Sequence, residues 1–460
     1  MSATRQERME SLGRAVARMD GKIVLPENGG WEDARQAWNL AVDQRPAAVA
    51  LPESADDVVA VVELARSFGL RVAPQGTGHN ATPLGPLEDT ILVKTGRMRK
   101  VEIDPEQQTA RVEAGVLWLD VVEAAAAHGL GALAGSSPDV GVVGYTLGGG
   151  VSLLGRKHGL ASSSVISVEL VTADGEHRRV TSESDPDLFW ALRGGGGDFG
   201  VVTALEFRLF PIASVYAGIL WWPIERASEV LHTWGAIVRR GLPDETTTVG
   251  RLLQLPPLPE IPEPVRGKSF VIVEVIHAGD AAAADELIAP LRALGPVMDT
   301  VAEISLPALS HLHMDPEHPV PGVGDGVMLT ELDPETIDTL LRVGGPRSGS
   351  PLLSLEVRQL GGELGRAKPE HGALASIEAD YALYAVGVTP TPEAAAAMRG
   401  YIEVVKDAVE PWTAPHAYLN FADTRRDPAT FWAEQAHRRL ARIKQAVDPG
   451  GLVRSNHPVR

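Results

Sequence analysis

A chain of 460 residues is longer than one hydrophobic core usually organises, so about two packed domains are expected. Its 44% hydrophobic and 22% charged residues are ordinary globular values, and 42 Lys+Arg against 60 Asp+Glu leave a net charge of −18, which repels nucleic acid and anionic membrane surfaces. There are no cysteines, which removes disulfides, thiolate metal sites, cysteine nucleophiles and cysteinyl cofactor bonds.

Residues 1–21 mix both charge signs without an apolar core, and no later window holds 18 uninterrupted apolar residues. The expectation is a cytoplasmic protein with no membrane or nucleic-acid partner, its oligomeric state unknown. Ser54 and Asp57, three apart, read as a capping pair for a helix with apolar Val58, Val61, Val62 and Ala65, ending near Gly69. A strand over 70–73 then runs into the loop Pro74-Gln75-Gly76-Thr77-Gly78-His79-Asn80. Strands follow at 90–93, 100–103 and 109–113, then an Ala-rich helix over 117–128. Glycine dominates 135–159, a hairpin turns at Ala173-Asp174-Gly175, a short helix spans 185–192, and 201–210 alternates as a half-buried strand. A boundary is expected just after Pro211. Beyond it, strand patterns at 269–276, 352–360 and 381–388 are separated by helical stretches near 225–238, 281–294 and 392–408, and the Pro-rich run 256–264 reads as a loop. The last segment reads as a strand over 417–421, a long helix to about Val447 and a tail.

Two nucleotide motifs fail on context. Gly76-Thr77-Gly78-His79-Asn80-Ala81 follows a strand, but Pro83 and Gly85 oppose the helix a dinucleotide fingerprint needs. Gly267-Lys268-Ser269 has Pro262 where a P-loop needs glycine, and a strand follows. The cluster Ser310-His311-Leu312-His313-Met314-Asp315 with His318 lacks a metal-ligand spacing and reads as a polar loop, so no metal is expected. What remains is a glycine loop holding one histidine and a second glycine block some 60 residues later. Glycines let a backbone pass close to a ligand and aim several N–H groups at one anion, so two such loops suggest a long diphosphate.

The order and detail of these motifs resemble the vanillyl-alcohol-oxidase superfamily, with its PCMH-type FAD-binding domain, in the berberine-bridge-enzyme-like branch. The 6-hydroxynicotine-oxidase-like and oligosaccharide-oxidase-like flavoproteins are similar. The resemblance runs from Arg45-Pro46 through Gln75-Gly76-Thr77-Gly78-His79 and Gly144-Tyr145-Thr146-Leu147-Gly148-Gly149-Gly150. It continues through Asp187-Leu188-Phe189-Trp190 and Phe199-Gly200-Val201-Val202-Thr203 to Tyr418-Leu419-Asn420-Phe421 and Arg454-Ser455-Asn456-His457-Pro458. It implies an α+β fold: a two-subdomain FAD-binding domain over 45–213, after an N-terminal segment 1–44. A substrate domain over 214–415 would carry an antiparallel sheet covered by helices, and 416–460 would return to the FAD domain.

Carried over, the resemblance implies that Gln75, Gly76, Thr77, Gly78, His79 and Asn80 cradle the FAD diphosphate. His79 would bond to the flavin 8α-methyl group, or else contact a noncovalent FAD; with Ser137 where doubly linked relatives carry cysteine, one bond is the maximum. Ser137, Asp139, Gly141, Gly144, Gly148 and Gly149 would continue the cradle, Val202 lie near the adenine and Asn456 touch the flavin ring. The implied reaction moves a hydride from a small alcohol, amine or sugar-like substrate to flavin N5, with molecular oxygen reoxidising the flavin to give hydrogen peroxide. A flavin dehydrogenase and a non-catalytic flavin-binding protein are the alternatives. Some relatives use a tyrosine as base at the position of Phe421, which cannot take a proton. On a strand, Tyr418 and Asn420 would share a face, making Tyr418 a base, a substrate-orienting hydroxyl or interface packing. His311 and His313 are the reserve catalytic candidates, since histidine titrates near working pH.

Overall fold

Ser54 caps the helix Ala55–Phe68 by accepting from the Asp57 N–H at 3.2 Å, and Gly69 ends it with φ 63°. Its buried face is Val58, Val61, Val62 and Ala65, the stripe expected from the sequence. The computed structural model describes residues 13, 15, 16 and 22–460 apart from 260; most of the charge-mixed stretch 1–21, and one residue of the Pro-rich run, lie outside it.

The helix packs on the first sheet, built from β1 (Ile23–Val24), β2 (Ala48–Ala50), β3 (Arg71–Gln75) and β4 (Thr90–Lys94) in the order β1-β2-β4-β3. Strands β2, β3 and β4 run parallel, and β1 is antiparallel to β2. The second sheet is antiparallel, with β5 (Val101–Asp104), β6 (Thr109–Glu113), β7 (Val165–Val171), β8 (His177–Val180) and β9 (Val201–Arg208) in the order β5-β6-β9-β7-β8.

The third sheet, also antiparallel, holds β10 (Ser214–Pro223), β11 (Thr246–Gln254), β12 (Ser269–His277), β13 (Met298–Asp299), β14 (Ala302–Ser305), β15 (Gly322–Leu329), β16 (Ser354–Gln359) and β17 (Tyr381–Val388). Its order is β13-β10-β12-β11-β16-β17-β15, with β14 beside β10. Helices Ala227–Arg239, Ala281–Arg292, Pro334–Gly344 and Pro392–Ala408 bury their apolar faces in one cluster with Leu252, Val271, Val273, Leu355, Val357 and Leu383. Side chains alternate along a strand, so Arg251, Glu274, Glu356 and Arg358 fall on the other face. That face is buried too: these four charged residues are at most 6% exposed.

Five strands of this sheet, β10, β11, β13, β14 and β15, and the helix Pro334–Gly344 are additions to the sequence reading. The strand expected over 417–421 is not formed; Leu419–Phe421 is a 3-10 turn. Its backbone bonds are local, from Phe421 N to Tyr418 O and from Ala422 N to Leu419 O, rather than to a neighbouring strand. The chain then continues through Glu434–Val447, whose Leu440 and Ile443 enter the core of the second sheet. Lys444, 4% exposed, ties this end down: its Nζ donates to Asp448 Oδ2 at 2.7 Å, Asp198 O at 2.6 Å and Val453 O at 2.9 Å. Val453 bridges Val72 on β3.

Candidate active site

The parallel strand β3 ends at Gln75, whose Oε1 accepts from Gln44 Nε2 at 2.9 Å, and delivers the loop 76–80. Gly78 has φ 90°, and a Cβ there would sit 2.9 Å from Gln75 Nε2 and 3.0 Å from Ala37 Cβ, so only glycine fits without displacement. The His79 ring stacks on Trp38 with centroids 4.0 Å apart. Its Nδ1 pairs with Thr77 Oγ1 at 2.7 Å, and its Nε2 faces Asp139 Oδ1 at 3.4 Å. Asp139 also accepts from Trp38 Nε1. Burial would raise the Asp139 carboxyl, but His79 and Trp38 outweigh it and hold Asp139 below its usual range.

The two glycine loops meet. Gly141 begins the helix Val142–Leu147 with its α-carbon face toward Thr77, whose Cγ2 would be 3.8 Å from an added Cβ. Asn80 Nδ2 donates to the carbonyls of Leu419 and Ala422, and Asn456 Nδ2 donates to Asn80 O at 3.3 Å, so the C-terminal segment and tail reach the same loop. Gly76 and Gly144 have open space where a Cβ would be. Gly148 is covered by Asn420, whose Oδ1 would lie 1.9 Å from a Cβ, and Gly149, at φ 114°, is covered by Leu374. Val202 lies on β9 opposite Leu170, buried within the second sheet.

Around these loops Gln75 Nε2, Asn80 Oδ1 and Thr146 Oγ1 are buried with no hydrogen-bond partner among the described residues, and His79 Nε2 and Asp139 Oδ1 meet only each other, at 3.4 Å. An unsatisfied buried group costs about 1–3 kcal/mol, so such a concentration calls for a polar ligand. A diphosphate cofactor with a polar ring system fits this set of donors, acceptors and glycines.

Tyr418 does not face an open site. Its hydroxyl oxygen accepts from Gly150 N, Val151 N and Asn420 Nδ2, each at 3.0 Å, and the side chain is 4% exposed. Burial keeps its phenol above the usual value despite those donors. The geometry makes it an anchor for the glycine loop. His311 is exposed and pairs with Glu317 at 2.7 Å.

His313 is different. It is 3% exposed, with Nδ1 2.9 Å from Glu274 and Nε2 2.8 Å from Glu356. Burial and the Arg251 cation pull its pKa down, but Glu274, Asp315 and Glu356 prevail and raise it to about 9. At neutral pH it therefore holds its proton and cannot serve as the base, against the expectation that it would titrate near working pH. Arg251 bonds Glu274 at 2.9 Å and donates to His313 O at 2.7 Å; Arg358 bonds Glu356 at 3.2 Å. Next to His313, Met314 takes φ 59°, an uncommon conformation for a side chain of its size, and the turn delivers Asp315 to Ser137 Oγ. Arg358 Nη2 reaches Ser136 Oγ at 3.3 Å. The charged sheet face is thus fastened to the second glycine loop.

Beside this face lie Phe421, Tyr384 and Asp423. The Tyr384 ring is 5.2 Å from Phe421, the Arg358 guanidinium stands 5.5 Å over Phe421, and Tyr384 Oη donates to Asp423 Oδ2 at 2.5 Å. Trp38, Arg251, Glu274, Glu356, Arg358, Tyr384 and Asp423 escaped the sequence reading. A signal was present for four of them: charges set inside apolar strand runs, as in Phe270-Val271-Ile272-Val273-Glu274-Val275-Ile276 and Ser354-Leu355-Glu356-Val357-Arg358.

Residues 46–181 match the family described as FAD binding domain. The chain carries an FAD binding domain. Over 205 residues it is 35% identical to (R)-6-hydroxynicotine oxidase of Paenarthrobacter nicotinovorans, covering 44% of this chain and 45% of the relative. Over 213 residues it is 32% identical to glucooligosaccharide oxidase of Sarocladium strictum, covering 44% and 41%. The chain thus spans about half the length of the curated relatives it matches. Its fold is that of 6-hydroxy-D-nicotine oxidase from Arthrobacter nicotinovorans, with TM-score 0.79, 25% identity and coverage of 94% of this chain and 96% of that one. Among the described residues no helix is long and apolar enough to cross a membrane.

Proposed function

We propose that this chain is an FAD-dependent oxidase acting on a small alcohol, amine or sugar-like molecule, with oxygen as electron acceptor and hydrogen peroxide as product. The observation that carries the reading is the group of buried polar atoms on two touching glycine loops of an FAD binding domain, Gln75 Nε2, Asn80 Oδ1 and Thr146 Oγ1 without a partner among the described residues, opposite a buried charged sheet face. Bound FAD would supply a two-electron acceptor for a hydride.

In this reading Gln75, Gly76, Thr77, Gly78, Asn80, Gly141 and Gly144 hold the cofactor, and Asn456 closes it from the tail. His79 is the attachment point: an Nε2–H turned to Asp139 leaves the Nδ1 lone pair, accepting from Thr77, as the nucleophile. The cofactor region is 45–213 with 416–460, and 214–415 contributes the substrate side. There the cluster of Arg251, His313 and Arg358 against Glu274, Asp315 and Glu356 fixes polar groups in place and keeps bulk water out of the sheet face.

The test is anaerobic. Purified protein saturated with FAD is mixed with 6-hydroxynicotine, other cyclic amines, cellobiose and longer oligosaccharides, and flavin bleaching and then oxygen uptake are followed. Bleaching with stoichiometric peroxide on aeration supports the oxidase reading; bleaching without oxygen uptake makes it a dehydrogenase, and a flavin-loaded protein that none bleaches contradicts the reading.

A further inference from the structure

Oxidation of an alcohol or amine sheds a proton as well as a hydride, so the site needs an acceptor. Tyr418 already receives three N–H donors, His313 holds its own proton between two carboxylates, and His311 lies at the surface against Glu317. Phe421 has no titratable group.

One pair beside Phe421 is equipped. Tyr384 stands on β17 directly opposite Glu356 on β16, which puts it on the charged face of the sheet. Its hydroxyl donates to Asp423 Oδ2 at 2.5 Å, and among the described residues Tyr384 is the only hydrogen-bond partner of that carboxyl group. Neither residue is fully buried. Their positions are built in. A Cβ on Gly324 of β15 would fall 2.4 Å from Tyr384 Oη and 3.1 Å from Asp423 Oδ2, and one on Gly326 would fall 2.7 Å from Phe421 O. Two glycines in one strand thus make room for the phenol and for the turn that carries Asp423.

We propose that Tyr384 and Asp423 together are the proton acceptor of the reaction, a proposal that rests on the oxidoreductase reading above. The substrate O–H or N–H proton passes to Tyr384 Oη while the phenolic proton passes to Asp423 Oδ2. Bound FAD would take the hydride, with its electron pair, from the adjacent C–H bond as a C=O or C=N bond forms. The substrate loses two electrons and two hydrogens; Asp423 ends protonated and Tyr384 unchanged.

The surroundings suit the task. Burial raises the Asp423 carboxyl, the Tyr384 hydrogen bond opposes this, Asp325 on β15 adds to the rise and Arg426 opposes it, leaving the group at about 7. Asp325 is itself neutralised by Lys406 from the helix Pro392–Ala408 at 3.0 Å and by Arg426 at 2.7 Å, with Thr424 donating at 2.9 Å. Glu356 and Arg358 face the pair from β16. A carboxyl group near 7 is half ionised at neutral pH and is a far better acceptor than an ordinary aspartate.

The experiment uses FAD-loaded wild type, Tyr384→Phe, Asp423→Asn and Asp423→Glu. The rate of anaerobic flavin reduction is measured from pH 5 to 10 with 6-hydroxynicotine and with cellobiose. Wild type is expected to show an acid limb with a midpoint near 7. Tyr384→Phe and Asp423→Asn should retain their FAD and reduce it roughly 10²-fold more slowly, and Asp423→Asn should lose that limb. Asp423→Glu should recover part of the rate with the limb moved. Rates within a few-fold of wild type, or the same limb in Asp423→Asn, overturn the proton-acceptor assignment and leave the oxidase reading standing. If none of the cyclic amines and oligosaccharides of the panel above reduces the wild-type flavin, both fall together. A variant that loses its FAD is replaced in the comparison by Asp423→Glu, whose limb must then move for the proposal to stand.

Discussion

Raising the pH should loosen the molecule at one buried point, His313. Its pKa is raised from 6.5 to about 9, because Glu274, Asp315 and Glu356 outweigh burial and Arg251. A group whose folded pKa exceeds its unfolded one contributes stability that is fully present below 6.5 and is lost as pH rises through 9. The difference corresponds to about 3 kcal/mol. Replacing His313 by Gln removes the cation shared by Glu274 and Glu356 and should cost roughly 3–5 kcal/mol at pH 6. The assay is chemical denaturation of FAD-saturated wild type and His313→Gln at half-unit steps from pH 6 to 9.5, followed by tryptophan fluorescence. The gap between the two proteins should be widest at pH 6 and close by most of that amount at pH 9.5. Taking the difference matters: His457, lowered to about 4 by burial, and Asp423, at about 7, change wild type and variant alike, mainly at lower pH. A gap that stays constant from pH 6 to 9.5 would refute the claim that His313 is held protonated by its two glutamates.

Tyr418→Phe removes the acceptor of the Gly150, Val151 and Asn420 donors and should cost about 1–3 kcal/mol of stability, while flavin reduction stays within a few-fold of wild type once FAD is saturating. A loss of roughly 10²-fold in the reduction rate at unchanged FAD content would return Tyr418 to the chemistry. Asp139→Asn keeps the shape beside Trp38 and His79 but removes the charge that holds the histidine tautomer, so FAD should still bind and leave with acid. Full acid-stable colour in that variant would contradict the role given to Asp139.

The helix Ala55–Phe68 was legible because cap, stripe and stop agree locally, and the hairpin at 173–175 because Asp174-Gly175 marks its turn. The two glycine loops were legible because glycine composition and motif order survive in the sequence. The strand expected at 417–421 failed because alternation over five residues does not establish that a neighbouring strand edge exists; here the backbone turns on itself and the side chains of Asn420 and Tyr418 point to the glycine loop. β11 was missed because both of its faces are buried, which erases period-two patterning. The charged face was invisible as a group since Arg251, Glu274, His313 and Glu356 come from separate elements up to about a hundred residues apart, and only sheet register assembles them. Trp38 is a single indole with no motif around it, and its role emerges only from the stack on His79.

The central claim is that the two glycine loops hold FAD and that His79 bonds to it. The most direct measurement is the intact mass of the acid-denatured protein after incubation with FAD, beside the colour of the precipitate. The expected result is a chain heavier by one FAD with a yellow pellet, and an unmodified, colourless chain for His79→Ala. A wild-type chain at its unmodified mass with all colour in the supernatant would contradict the attachment, and a protein that takes up no FAD at all would contradict the account of the site.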